Sequence, residues 1–120
     1  DIAAKARKMN AAQVAETIAS NYTNERFDST PFKGNAADLE LTRGYRKLLL
    51  SSKRFKAANT GIEPLKQLVA AGSRVEATGY LYVTLGEISA PAREFARDND
   101  IELIQATELA NHFSGKARIV

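Results

Sequence analysis

The sequence predicts an α/β fold, a layered sandwich in which helices flank a mixed central sheet. Three observations carry that prediction. Residues 38–41 alternate polar and apolar, Thr42-Arg43-Gly44-Tyr45 reads as a turn, and 46–53 reads as the returning strand, which together make a β-hairpin. Beyond it the pattern becomes strand, helix, strand, helix, and right-handed crossovers then make the later strands parallel and cover them with helices. Finally, 120 residues with 44% hydrophobic content suffice for one core and are too few for two, so residues 1–120 are expected to form a single domain.

Taken in order, residues 2–21 carry Ile2, Ala6, Met9, Val14 and Ile18 among alanines, without Gly or Pro, and predict one N-terminal helix. Polar and turn-forming residues thicken from 21 to 35, around a short Arg26-Phe27-Asp28 that fits an edge strand. Thr60-Gly61-Ile62-Glu63 has the form of a capping box, Pro64 suits a first turn, and the helix is expected to reach Ala71 and stop at Gly72. Residues 76–84 are rich in Tyr, Val, Leu and Thr and predict a central strand. Its Tyr80 and Tyr82 share a face and read as core packing ahead of a base-stacking platform. Ser89, with Pro91 after it, caps a helix to about residue 99, 101–104 is a short buried strand, and Thr107 caps a last helix through Phe113. Residues 114–120 read as an untethered tail.

Composition removes several kinds of chemistry. There is no cysteine, hence no disulfide, thiolate ligand or cysteine nucleophile, and a lone His112 rules out multi-histidine zinc sites. Without a patterned partner, His112 reads as a surface or capping residue. Neither GxGxxG nor GxxxxGK[ST] occurs. No purely apolar run is longer than four residues and no signal peptide opens the chain, so a cytoplasmic protein without membrane contact is expected. The first residue is Asp1 rather than methionine, which suggests a piece of a longer polypeptide whose other domains are partners.

The net charge of +3 hides an asymmetry. No acid lies between Glu40 and Glu63, where Arg43, Arg46, Lys47, Lys53, Arg54 and Lys56 stand. Elsewhere 11 Lys and Arg are outnumbered by 14 Asp and Glu. A basic segment on an acidic body favours a polyanionic partner, nucleic acid before membrane, since no amphipathic face accompanies it. Arg43, Arg46, Lys47, Arg54 and Lys56 are the candidate DNA contacts.

The same hairpin holds the candidate chemistry. Asp38 and Glu40 share a face, as do Ser51 and Lys53 on the partner strand, and a tight turn brings the four to one end. An acidic pair beside a lysine suits metal-assisted phosphodiester hydrolysis. An ordinary solvated strand pair with cross-strand Asp–Lys contacts has the same pattern.

From Asp38 to Phe113 the chain resembles the restriction-endonuclease-like domain of the Mrr family. The motifs are Asp38, then Ser51-Ser52-Lys53-Arg54-Phe55-Lys56 and the helix after it. Next come residues 82–89 with Ala92-Arg93-Glu94-Phe95-Ala96, and finally 101–104 with Glu108-Leu109. The resemblance implies a three-layer restriction-endonuclease-like sandwich and Mg²⁺-dependent DNA cleavage. Asp38 and the Ser52 carbonyl would hold the metal and Lys53 would position water. It also marks departures. Ser51 stands where the family has Glu or Gln, Asn35-Ala36-Ala37 replaces glycines, and the family's helical glutamate corresponds to Gln13 or Glu16. Glu40 is either a displaced metal-ligating carboxylate or an exposed strand residue. The expectation is a DNA-binding domain with a degenerate endonuclease site. A non-catalytic DNA-binding or interaction module on the same scaffold is the alternative, with a homodimer as a possible assembly.

Overall fold

The computed structural model describes residues 1–119. Two helices open the chain, α1 (Ile2–Arg7) and α2 (Ala11–Thr23), followed by three strands, β1 (Asp28–Pro31), β2 (Leu39–Arg43) and β3 (Arg46–Ser51). Then come β4 (Asn59–Thr60), α3 (Ile62–Arg74), β5 (Gly79–Val83), β6 (Glu87–Ile88), α4 (Ala90–Asp98), β7 (Ile101–Ile104) and α5 (Ala106–Ser114).

The main sheet has the order β1-β2-β3-β5-β7. Its first three strands are antiparallel, while β3, β5 and β7 run parallel. Alternation along each strand sorts the side chains to two faces. Leu41, Leu50, Leu81, Val83 and Ile104 pack with Val14 and Ile18 of α2 and Leu109 of α5. Leu49, Tyr80 and Tyr82 pack on the other face with Leu65 and Leu68 of α3 and Ala92 and Ala96 of α4. The result is the expected α/β sandwich of three layers. Both tyrosines lie in the core, as do Val83 and Ile104.

The hairpin turn is tighter than the sequence suggests. Arg43 pairs with Arg46, leaving a two-residue loop in which Gly44 takes φ +61°, a conformation open to glycine at no steric penalty. Strand β3 ends at Ser51 rather than at 53.

Several local expectations are corrected. The N-terminal helix is two helices, because Asn10 starts a new one. Its side chain accepts from the Gln13 N–H while the Gln13 side chain accepts from the Asn10 N–H, both at 2.8 Å. Thr60 caps nothing. Its buried hydroxyl is 3.1 Å from that of Thr84, and Gly61 is the N-cap of α3. Gly72 lies inside α3, where the Tyr80 ring occupies the space a Cβ would need. The last helix is capped by Gln105, whose N–H donates to Glu108 at 2.9 Å, rather than by Thr107. His112 is buried. Asn21 Nδ2 lies 3.0 Å from both its Nδ1 and its carbonyl, joining α2 to α5. The tail is tethered through Ile119, which packs against the α2 and α5 core, and residue 120 lies outside the described residues.

Small extra pairing shapes one end of the molecule. Strands β4 and β6 form a parallel pair, and Gly86 runs so close to the Ala57 and Ala58 carbonyls that a side chain there would meet backbone.

Candidate active site

Asp38 sits one residue before β2, opposite Ser51, at the carboxyl end of parallel strands β3 and β5. Sheets of this kind place ligands at that end. The Asp38 backbone N–H donates to the Leu50 carbonyl at 2.8 Å. Its Oδ2 accepts the Ser52 N–H at 2.6 Å, and Oδ1 stands 3.7 Å from Lys53 Nζ. The Asp38 side chain is 10% exposed and that of Lys53 is 43% exposed, so the carboxylate is recessed and the ammonium faces solvent.

The chain turns sharply after Ser52, whose carbonyl accepts the Phe55 N–H at 3.2 Å. Phe55 is buried in the turn, while Lys53, Arg54 and Lys56 stay exposed around it. Serines 51 and 52 are buried, and Ser52 Oγ has no hydrogen-bond partner among the described residues. Tyr82 is the parallel neighbour of Ser51. Burial is the main cause of its raised phenol pKa, with the Arg54 charge and the nearby Thr60 acting in the opposite direction.

Glu40 shares the parity of Asp38 but is engaged elsewhere. It pairs with Lys47 at 3.5 Å, and Lys47 also donates to the Val75 carbonyl at 2.9 Å. Gln13 serves the Asn10 cap, and Glu16 is exposed on α2. The six cations of the basic segment divide between two ends of β3. Arg43 donates to the Glu25 carbonyl at 2.8 Å, and Arg43 and Arg46 lie over the Phe27 ring at 4.7 and 5.3 Å. These residues and Lys47 lie toward the hairpin tip, roughly 17 Å from the 53–56 turn at an ordinary strand rise. The sequence offered no sign of this division, because Phe27 and Glu25 come from the segment before β1. It also gave no sign of the Ser52 amide, which any residue could supply.

The donors present do not fit a Mg²⁺ site. Among the described residues no three His, Cys, Asp or Glu gather where they could hold a metal ion. Both Asp38 oxygens face N–H or ammonium donors, the Ser52 carbonyl is used in the turn, and Ser51 offers a hydroxyl in place of a second carboxylate. Mg²⁺ favours hard oxygen donors in near-octahedral array, and one committed carboxylate falls short of that.

A mixed five-stranded sheet between helical layers, with an aspartate and a lysine meeting at the carboxyl end of its parallel strands, has the architecture of restriction-endonuclease-like proteins. A family model described as a restriction endonuclease, of the Mrr type, matches residues 6–113, and the chain belongs to that family. A solved structure titled as a protein of unknown function, AF1548, is similar in fold. It has a TM-score of 0.55 and 13% identity, over 78% of this chain and 58% of that one. The chain thus spans somewhat more than half of that protein's length. No curated protein matches the chain. The family usually employs a divalent metal on a nucleic-acid substrate, and no helix among the described residues is long and apolar enough to cross a membrane.

Proposed function

We propose that this domain binds DNA in the cytoplasm through the face around Asp38 and Lys53, and that its endonuclease site is reduced to those two residues, leaving little or no Mg²⁺-dependent cleavage. The observation that carries the reading is the Asp38–Lys53 pair at 3.7 Å with Ser51 beside it where a carboxylate would be needed. Lys53, Arg54 and Lys56 crowd one turn at this end of the sheet. The crossover topology directs the N-termini of α3, α4 and α5 to the same end, adding their positive dipole ends. Anions are drawn here, and the phosphates of a DNA backbone suit a row of exposed cations. Lys53 would contact the phosphate, with Asp38 holding its ammonium in place. Arg43, Arg46 and Lys47, bound within the protein at the far end of β3, would serve as outlying contacts.

The test is plasmid nicking with Mg²⁺ and with Mn²⁺, by the parent, by Ser51→Glu, and by each with Asp38→Asn added. The parent is expected to nick feebly or not at all. Ser51→Glu is expected to gain metal binding and at least about 10²-fold in rate, the effect typical of one electrostatic group in such a site. Robust cleavage by the parent overturns the reading. DNA binding is measured separately, and Arg54→Glu with Lys56→Glu is expected to abolish it.

A further inference from the structure

Helix α3 covers β3 and β5, and α4 lies along β7. Beyond α3, on the same face of the sheet, a groove of about 620 Å³ opens over β2, between the end of α3 and residues 30–36. Its volume is that of a single-ligand site. Phe32, Ala36, Ala71 and Val75 make its walls apolar, and Glu40 within it is neutralised by Lys47 at 3.5 Å. Lys33 and Arg74 stand exposed at the rim without a hydrogen bond or ion pair among the described residues.

The aromatic wall is fixed by the local backbone. The Phe32 N–H donates to the Asp38 carbonyl at 3.0 Å, and its ring lies 3.1 Å from the position a Cβ would take at Gly34, where φ is +143°. Only glycine is comfortable there on both counts. The segment that shapes the groove therefore runs directly into the candidate active site.

We propose that this groove takes an unpaired stretch of DNA strand leading away from Asp38 and Lys53, one base stacking on Phe32 and the flanking phosphates meeting Lys33 and Arg74. The inference rests on the DNA-binding reading and narrows its substrate class to DNA with a single-stranded segment. An aromatic face beside unpaired cations is the pattern by which proteins hold single strands irrespective of sequence. A continuous duplex is too wide to enter a groove of this volume, whereas a base with its sugar can.

The experiment is fluorescence anisotropy with labelled oligonucleotides: a blunt duplex, the same duplex with a 3′ or a 5′ single-stranded extension, and the single strand alone. The parent is expected to favour one extended duplex over the blunt one by about tenfold, the effect of one stacked base with its phosphates. Phe32→Ala, and Lys33→Ala combined with Arg74→Ala, should each remove that preference and leave blunt-duplex affinity unchanged. Phe32→Tyr should keep it. If Phe32→Ala lowers the melting temperature, the double variant, whose residues are exposed, decides the matter. Equal affinity for blunt and extended duplexes, or a preference that survives the double variant, overturns the groove. Arg54→Glu with Lys56→Glu tests the underlying reading separately. If binding of every oligonucleotide persists in that variant, the 53–56 face is wrong while the groove is still judged by its own preference. Failure of the parent to bind any oligonucleotide overturns both.

Discussion

Asp38 holds the candidate site and the local backbone at once. Its carboxylate satisfies the Ser52 N–H, so truncation leaves a donor unpaired in a recessed position. Asp38→Ala is expected to lower stability by about 2 kcal/mol in denaturant titration, while Asp38→Asn, which keeps an acceptor, loses much less. That difference makes Asn the better probe of activity. His112 gives a second residue-scale expectation. Burial lowers its pKa below the ordinary 6.5, so the fold disfavours the charged ring, and Nδ1 accepts from Asn21 as the neutral tautomer. The stabilisation is complete above the unfolded pKa and is lost as pH falls from about 6.5 through the lower folded value. The melting temperature should therefore drop between about pH 7 and pH 5, and His112→Gln should flatten that part of the profile. A drop of the same size in the variant would assign it to other groups. Sequence alone could not reveal the partner, because Asn21 and His112 are 91 residues apart and meet only when α2 docks on α5.

At the scale of elements, legibility followed how local the cause was. The hairpin, Ser89 as an N-cap, and the strand at 101–104 are written in short-range pattern, and the structure has all three, with the Ala92 N–H 3.2 Å from Ser89 Oγ. Local pattern misleads where tertiary contacts override it. Thr60 had the right neighbours for a capping box, yet its hydroxyl is taken by Thr84, which directly follows β5. Gly72 looked like a helix stop, yet it is there to admit the Tyr80 ring. Gly72→Ala should consequently destabilise despite its better helix propensity, by about 1–3 kcal/mol from overpacking, and calorimetry will read the sign directly. An increase in stability would show that the ring moves aside. In the candidate site, Asp38 and Lys53 were legible because hairpin register brings opposing strand ends together. The engagement of Glu40 was not, since it depends on Lys47 reaching the end of α3.

Across the whole molecule, the sheet divides the apolar side chains between two cores, and Val83 lies fully buried on the side of α2 and α5. Val83→Asp places an unpaired carboxylate there and should abolish the cooperative thermal transition. A variant that melts like the parent would mean that the strand is not central. Charge also divides by end, so DNA affinity should fall steeply with salt, and the log–log slope should shrink by about one for each cation of the 53–56 turn removed. The miniature β4–β6 pair has a consequence of another kind. It ties the entry points of α3 and α4 together through N–H donation from Leu85, Glu87 and Ser89 to the carbonyls of Phe55, Ala58 and Thr60. Neither helix can lift from the sheet without breaking the bonds that start the other. In native-state hydrogen exchange the two should behave as one cooperative unit, their slowest amides sharing a single opening free energy and a single denaturant dependence. Separate opening energies would mean that the tie is too weak to couple them.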